Sequence, residues 1–218
     1  MSKQVYVWDK FVRVFHWTLL GLFVTSYVTG EQEHWLHSYS GYGIFILVSL
    51  RIVWGVVGSQ YARFSNFVYS PSAVLGYLKS MIKGSPKRFL GHNPAGGAMV
   101  VTLLAALFMT TLSGMKLYAI EEGKGPFAQT IGVSLMSVAH ASSDEHEDQT
   151  HEYENQKYTE EDEQHEEEEE FWEEIHEAAI SVMLFLILLH VLGVIISSTQ
   201  HKELLVKSMF TGYKKDKQ

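Results

Sequence analysis

Residues 171–200, FWEEIHEAAISVMLFLILLHVLGVIISSTQ, decide how the rest of the chain is read. From Ala178 to Ser197 the run is apolar, broken by one polar residue of note, His190, and His176 stands at its entrance. Fourteen residues of helix rise about 21 Å and fall about 40° short of four whole turns, so both imidazoles lie near one face. In a hydrocarbon core roughly 30 Å thick they fall near opposite edges. An ionisable side chain in such a segment is costly and marks function. Two histidines on one face, one near each edge, point to two stacked cofactor sites.

The chain has 218 residues, 46% of them hydrophobic and 13% aromatic, and no cysteine. Thiolate zinc sites, iron–sulfur clusters and disulfides are thereby excluded, and thiol usage says nothing about compartment. The mean hydropathy of -0.01 averages two opposed populations. Residues 119–174 hold 19 Asp or Glu against 2 Lys, a formal −17, whereas the remainder carries +9 of the total -8. The acidity belongs to one segment.

Taken in order, MSKQVYVWDKFVRVFHW places Lys3, Lys10 and Arg13 ahead of the apolar run Val14–Thr29. No small-residue cleavage site follows that run, so an uncleaved span is expected rather than a signal peptide. His16 sits at its start, and Trp8 and Trp17 read as interfacial aromatics. His37 precedes a second apolar run, Tyr39–Val57, interrupted by Arg51. The connection 59–95 is basic, and Val74, Leu75, Leu78, Met81 and Ile82 recur in it at helical spacing, as in a short helix lying on a membrane surface. GHNPAGG (91–97) reads as a helix start, with Asn93 as cap and Pro94 in the first position. The third run, Ala98–Leu117, lacks histidine and reads as scaffold, its Gly96, Gly97 and Gly114 suited to close helix contacts.

Four spans follow, at about 12–30, 39–58, 96–118 and 171–199, in a single domain. The acidic segment 121–170 falls between the third and fourth, with too few apolar groups to pack, and is expected to be mobile. The N-terminus, the 59–95 connection and the tail carry 13 of the 17 Lys and Arg. The positive-inside rule therefore places both termini in the cytoplasm and the acidic loop in a bacterial periplasm.

Depth then sorts the histidines. His16 and His190 fall near the inner edge, and His37 and His176 near the outer edge. Paired neutral imidazoles from different helices suit the two axial positions of a b-type haem iron. No CxxCH is present, so covalent attachment is excluded. Arg51 lies fourteen residues beyond His37, level with the inner pair, and a haem propionate is its natural counter-charge. Two histidines per level are thin for a zinc or nickel ion. His92 either shapes its loop or touches a propionate or quinone; His34 and His201 read as interfacial. In the acidic loop, His140, His146, His151 and His165 stand among carboxylates, a composition that binds divalent metal loosely or simply serves as a solvated tether.

The stretches WDKFVRVFHW, the block from His37 to RIVWGVVG, YARF, GHNPAGG, EEIHEAA…LLHVLGVIISS and HKELLVKSMFTGYK together resemble the bacterial cytochrome b-561 family, which includes the b-type cytochrome subunits of nickel–iron hydrogenases. The resemblance covers nearly all of the chain except 121–170. It implies an all-α membrane protein, a four-transmembrane-helix bundle holding two haem b, with His16, His37, His176 and His190 as axial ligands. It also implies electron transfer between membrane quinone and a partner protein. The expected partners are the lipid bilayer, quinone or quinol, and a periplasmic protein such as a hydrogenase or a basic c-type cytochrome drawn by the acidic loop; no nucleic acid is expected. Two other readings stand beside it. A superoxide–quinone oxidoreductase would be an enzyme, although the −17 segment repels an anionic substrate. A metal-sensing membrane module would use the His-rich loop.

Overall fold

The computed structural model describes residues 4–30, 35–128 and 150–215, the stretch 150–164 by its backbone alone. In chain order the elements are β1 (Gln4–Tyr6), α1 (Lys10–Thr29), α2 (Trp35–Val57), α3 (Pro71–Ile82), α4 (Pro94–Glu122), α5 (Thr150–His201), α6 (Leu205–Thr211) and β2 (Tyr213–Lys215). Among the described residues four helices are long and apolar enough to cross a membrane: α1, α2, α4 and residues 165–201 of α5. The described chain divides into two compact units, Met1–Phe108 with Ser181–Gln218, and Met109–Ile180.

In the first unit, α1, α2, the first half of α4 and the second half of α5 pack around Phe15, Ile44, Val48, Leu104, Leu107 and Met183. Outside this seam the helices present Val14, Leu20, Val24, Ile46, Val53, Leu188 and Val191 to their surroundings. Apolar faces of that kind suit lipid, where helices gain nothing from burying Leu against Leu. The start of α4 follows its sequence. Asn93 Oδ1 accepts from the Gly96 amide at 2.7 Å, and Pro94 opens the helix. On α3, Tyr77 is buried, whereas Leu75, Leu78 and Ile82 are exposed beside Lys79 and Lys83. That amphipathic face fits a membrane surface.

Asp9 is the hub of α1. Its Oδ1 accepts from the Val12 amide at 2.8 Å, while Oδ2 accepts from Trp54 Nε1 at 3.1 Å and Ser59 Oγ at 2.5 Å. One carboxylate thus caps α1 and ties it to the end of α2. Burial by itself would raise this carboxyl's pKa, but the Ser59, Val12 and Trp54 hydrogen bonds and the charge of Arg51 together hold it below its ordinary 3.8. Losing a cap and two charge-assisted bonds costs about 1–3 kcal/mol. Asp9→Ala is therefore expected to melt several degrees below the wild type in detergent. A depressed folded pKa contributes stability that is full above 3.8 and vanishes as pH falls through the folded value. The gap between wild type and Asp9→Asn should accordingly narrow in acid, and a gap independent of pH would refute this role.

Two expectations need correction. Among the described residues the fold is helical except for one antiparallel strand pair, in which Gln4 pairs with Lys215, Val5 with Lys214 and Tyr6 with Tyr213. The chain's two ends are therefore bound to each other. The acidic segment is not loop throughout, since α4 runs on to Glu122 and α5 begins at Thr150. Glu, Gln and Lys are good helix formers, and carboxylates at a helix N-terminus favour its dipole.

Candidate cofactor-binding site

At the end of the first unit where the termini meet, α1 brings His16 and α5 brings His190, each within the other's electrostatic reach. Phe15 turns into the core beside His16, whose own Nδ1 is buried and has no hydrogen-bond partner. Buried ring nitrogens are seldom left unsatisfied without a functional reason.

Three basic side chains stand around this pair. Arg51 on α2 is 2% exposed; one terminal nitrogen donates to the Ala62 carbonyl at 3.2 Å, and the other, Nη1, has no partner. Its guanidinium lies 5.5 Å from the Phe64 ring centre. The carboxylate in whose field it sits is Asp9, whose oxygens are already engaged by Val12, Trp54 and Ser59. His92, just before α4, is wedged between Trp8 (4.7 Å) and Phe67 (4.5 Å). Some of its ring surface is accessible, but its Nδ1 is sealed and unpartnered. Burial first, and then the charges of Arg51, Lys214 and His190, push its pKa down to about 3. Lys214 on β2 is 8% exposed, with Nζ 5.4 Å from the Trp8 ring centre. Burial lowers its pKa to about 8, against the field of Glu203 and with that of Arg88.

Lys214 is the member of this group that the sequence did not mark. Counted with four other tail lysines it looks like solvated charge. The available signal was Gly212, which adopts a left-handed φ of +85° directly before a strand in which alternate residues turn inward.

His37, on α2, is also in the first unit. Its Nδ1 lies 2.9 Å from the Ser26 carbonyl oxygen, an acceptor only, so that nitrogen carries the proton. This sets the tautomer whose Nε2 bears the lone pair a metal requires. In the second unit, Ser113 Oγ donates to the Thr110 carbonyl at 2.9 Å and lies 3.0 Å from His176 Nδ1. With its one hydrogen committed, the hydroxyl accepts from His176 Nδ1–H, which again puts the ring's lone pair on Nε2. Gly114 makes room for the same ring: a Cβ there would meet His176 Cε1 at 2.8 Å. Lys116 and Glu168 bridge α4 and α5 nearby at 2.9 Å, a half-exposed pair of small energetic weight. The third span thus positions His176 without holding a histidine of its own, which its histidine-free sequence concealed.

Of the loop histidines, His140 and His146 lie outside the described residues, as does the side chain of His151, while His165 is half-buried on α5. Among the described residues no three His, Cys, Asp or Glu side chains gather as a metal site. His34 lies outside the described residues, and His201 ends α5.

Four apolar spans, with His16 and His190 on separate helices near buried Arg51 and Lys214, define a membrane protein that carries a polar cluster inside an apolar bundle. Comparison with known proteins agrees. The prokaryotic cytochrome b561 family matches residues 7–212, so the chain belongs to that family. It is an integral membrane electron-transfer protein of a class that binds haem b. Among relatives, a protein of Rhizobium leguminosarum bv. viciae named "Probable Ni/Fe-hydrogenase B-type cytochrome subunit" is 24% identical over 173 residues, covering 66% of this chain and 72% of that protein. Its namesakes in Azotobacter chroococcum mcd 1 and Rhodobacter capsulatus are 26% and 28% identical, covering 66% and 56% of this chain and 72% and 58% of their own lengths. No solved structure matches the chain.

Proposed function

We propose that this chain is a diheme cytochrome b of a bacterial inner membrane, carrying electrons between the quinone pool and a periplasmic redox protein. His16 and His190 would ligate an inner haem, and His37 and His176 an outer one, the latter pairing read from depth in the sequence. Both termini would face the cytoplasm, with the acidic segment outward. The observation that carries the reading is the buried cluster at the inner pair: two imidazoles on separate helices beside Arg51 and His92, each of the latter with a sealed, unpartnered nitrogen.

Bound between such imidazoles, a haem supplies a reversible one-electron couple. The protein's part is orientation and charge. Ser26 and Ser113 fix the tautomers of His37 and His176. Arg51 and His92 offer donors to propionates in a water-poor setting, where such bonds are stronger than in water. The apolar seam of Phe15, Ile44, Val48, Leu104, Leu107 and Met183 keeps water and ions away from the inner site.

Haem quantification on the purified chain tests the reading first, with two haem b per polypeptide expected and a colourless protein sinking it. The printed names of the relatives favour a hydrogenase as the periplasmic partner, and co-purification would decide between that and a c-type cytochrome. With a basic partner, electron transfer should slow steeply as salt rises, because the −17 segment draws the partner in. Kinetics indifferent to salt, or to replacement of the Asp and Glu residues of 144–170 by Asn and Gln, would count against recruitment by charge.

A further inference from the structure

We propose that Lys214 is a binding residue for the inner cofactor, completing with Arg51 and His92 a cationic seat for its two carboxylates, and that the pairing of the chain's ends is what delivers Lys214 to that seat. The proposal rests on His16 and His190 being the inner ligands.

The strand pair turns Lys214 inward while Tyr213 and Lys215 on either side stay exposed. An ammonium carried into a protein needs an anion or it is costly. Among the described residues Lys214 makes no ion pair. The acid in its field, Glu203, is committed to Arg88 at 2.5 Å. The Trp8 face beneath it offers a cation–π contact, which offsets only part of that cost. Arg51 is in the same position, buried and short of one partner. Trp8 touches both Lys214 and His92, and Phe67 and Phe64 link His92 to Arg51, so the group is one cluster rather than three separate oddities. Arg51 and Lys214 are two buried cations, and the acid near each, Asp9 for one and Glu203 for the other, already spends its hydrogen bonds elsewhere. A haem held by His190 would bring two carboxylates to its edge, as acceptors for the unpartnered Arg51 nitrogen and the unpaired Lys214 ammonium.

The way Lys214 is held argues against chance. The amides of Val7 and Trp8 both donate to the Gly212 carbonyl, at 2.8 and 3.1 Å. Trp8 Nε1 donates to Ser208 Oγ at 3.2 Å, fixing the ring over which Lys214 lies. Gly212 adopts a left-handed conformation with Trp8 O only 2.7 Å from where a Cβ would stand. Arg88 donates to the Lys215 carbonyl as well as to Glu203. A tail fastened at so many points is placing its side chain, not trailing it. An anionic lipid phosphate shares the chemistry of a haem carboxylate, and the test separates the two.

Potentiometric titration of the holoprotein in nanodiscs reads the result directly. A positive charge beside a haem disfavours the ferric state, so Lys214→Met should lower the midpoint of the haem that His190→Ala removes. The expected change is about tenfold in the reduction equilibrium, roughly 59 mV for one electron. Lys214→Arg should keep the midpoint, and the other haem should not move. Identical midpoints in wild type and Lys214→Met, or an arginine variant as low as the methionine one, would overturn the proposal. So would a response confined to the anionic-lipid content of the nanodisc with both midpoints unmoved. If Lys214→Met does not accumulate, redox-difference infrared spectra of wild type and Lys214→Arg with carboxylate-labelled haem take its place: a shifted carboxylate band supports the contact, and an unchanged one refutes it. A chain without haem would sink the underlying reading; two intact haems indifferent to Lys214 would sink only this one.

Discussion

Replacing either His16 or His190 with alanine should remove about half of the reduced-minus-oxidised haem absorbance, and replacing both should remove no more than that half. The proposal gives both imidazoles, one from α1 and one from α5, to one iron, so taking away either would leave it with a single protein ligand. A mixed double variant, His16→Ala with His37→Ala, should instead be colourless, because it strikes both levels. These combinations test pairing, not merely the importance of histidine. Should His16→Ala with His190→Ala lose all colour, the two residues serve different haems and the arrangement by depth is wrong. Circular dichroism of each variant separates loss of haem from loss of helix.

Gly114→Leu should strip the outer haem while leaving the inner one intact. A Cβ at Gly114 would stand 2.8 Å from His176 Cε1. For an unligated histidine the remedy is a small ring movement, but a ring bound to iron cannot move without stretching that bond. Even Gly114→Ala should weaken outer-haem retention, and added bulk in a packed contact costs about 1–3 kcal/mol before any effect on the metal. Ser113→Ala makes the milder comparison, removing the hydroxyl 3.0 Å from His176 Nδ1 without crowding the ring. Loss of such a supporting bond weakens a metal ligand about 10–100-fold. Haem content per chain, and which of the two midpoints survives, are the readings. A Gly114→Leu protein with both haems at full occupancy would show that His176 is not held where it is needed.

What could be read from the chain alone was what hydropathy and charge settle residue by residue. Four apolar runs, the basic segments around them and the histidines within or beside three of them all follow from local composition, and the start of α4 follows from Asn93 and Pro94. A span needs about twenty apolar residues whatever its neighbours do, and an ionisable group inside one needs a reason whatever lies opposite. Tertiary structure alone decided the rest, because each remaining feature joins residues distant in sequence. Ser113 and His176 are 63 positions apart, and Trp8 and Ser208 are 200. Asp9 reads as an ordinary acid until Trp54 and Ser59 close on it, and Lys214 as one tail lysine of five until β1 pairs with β2. Burial of a charge is a property of what surrounds it, and no window along the chain contains those surroundings.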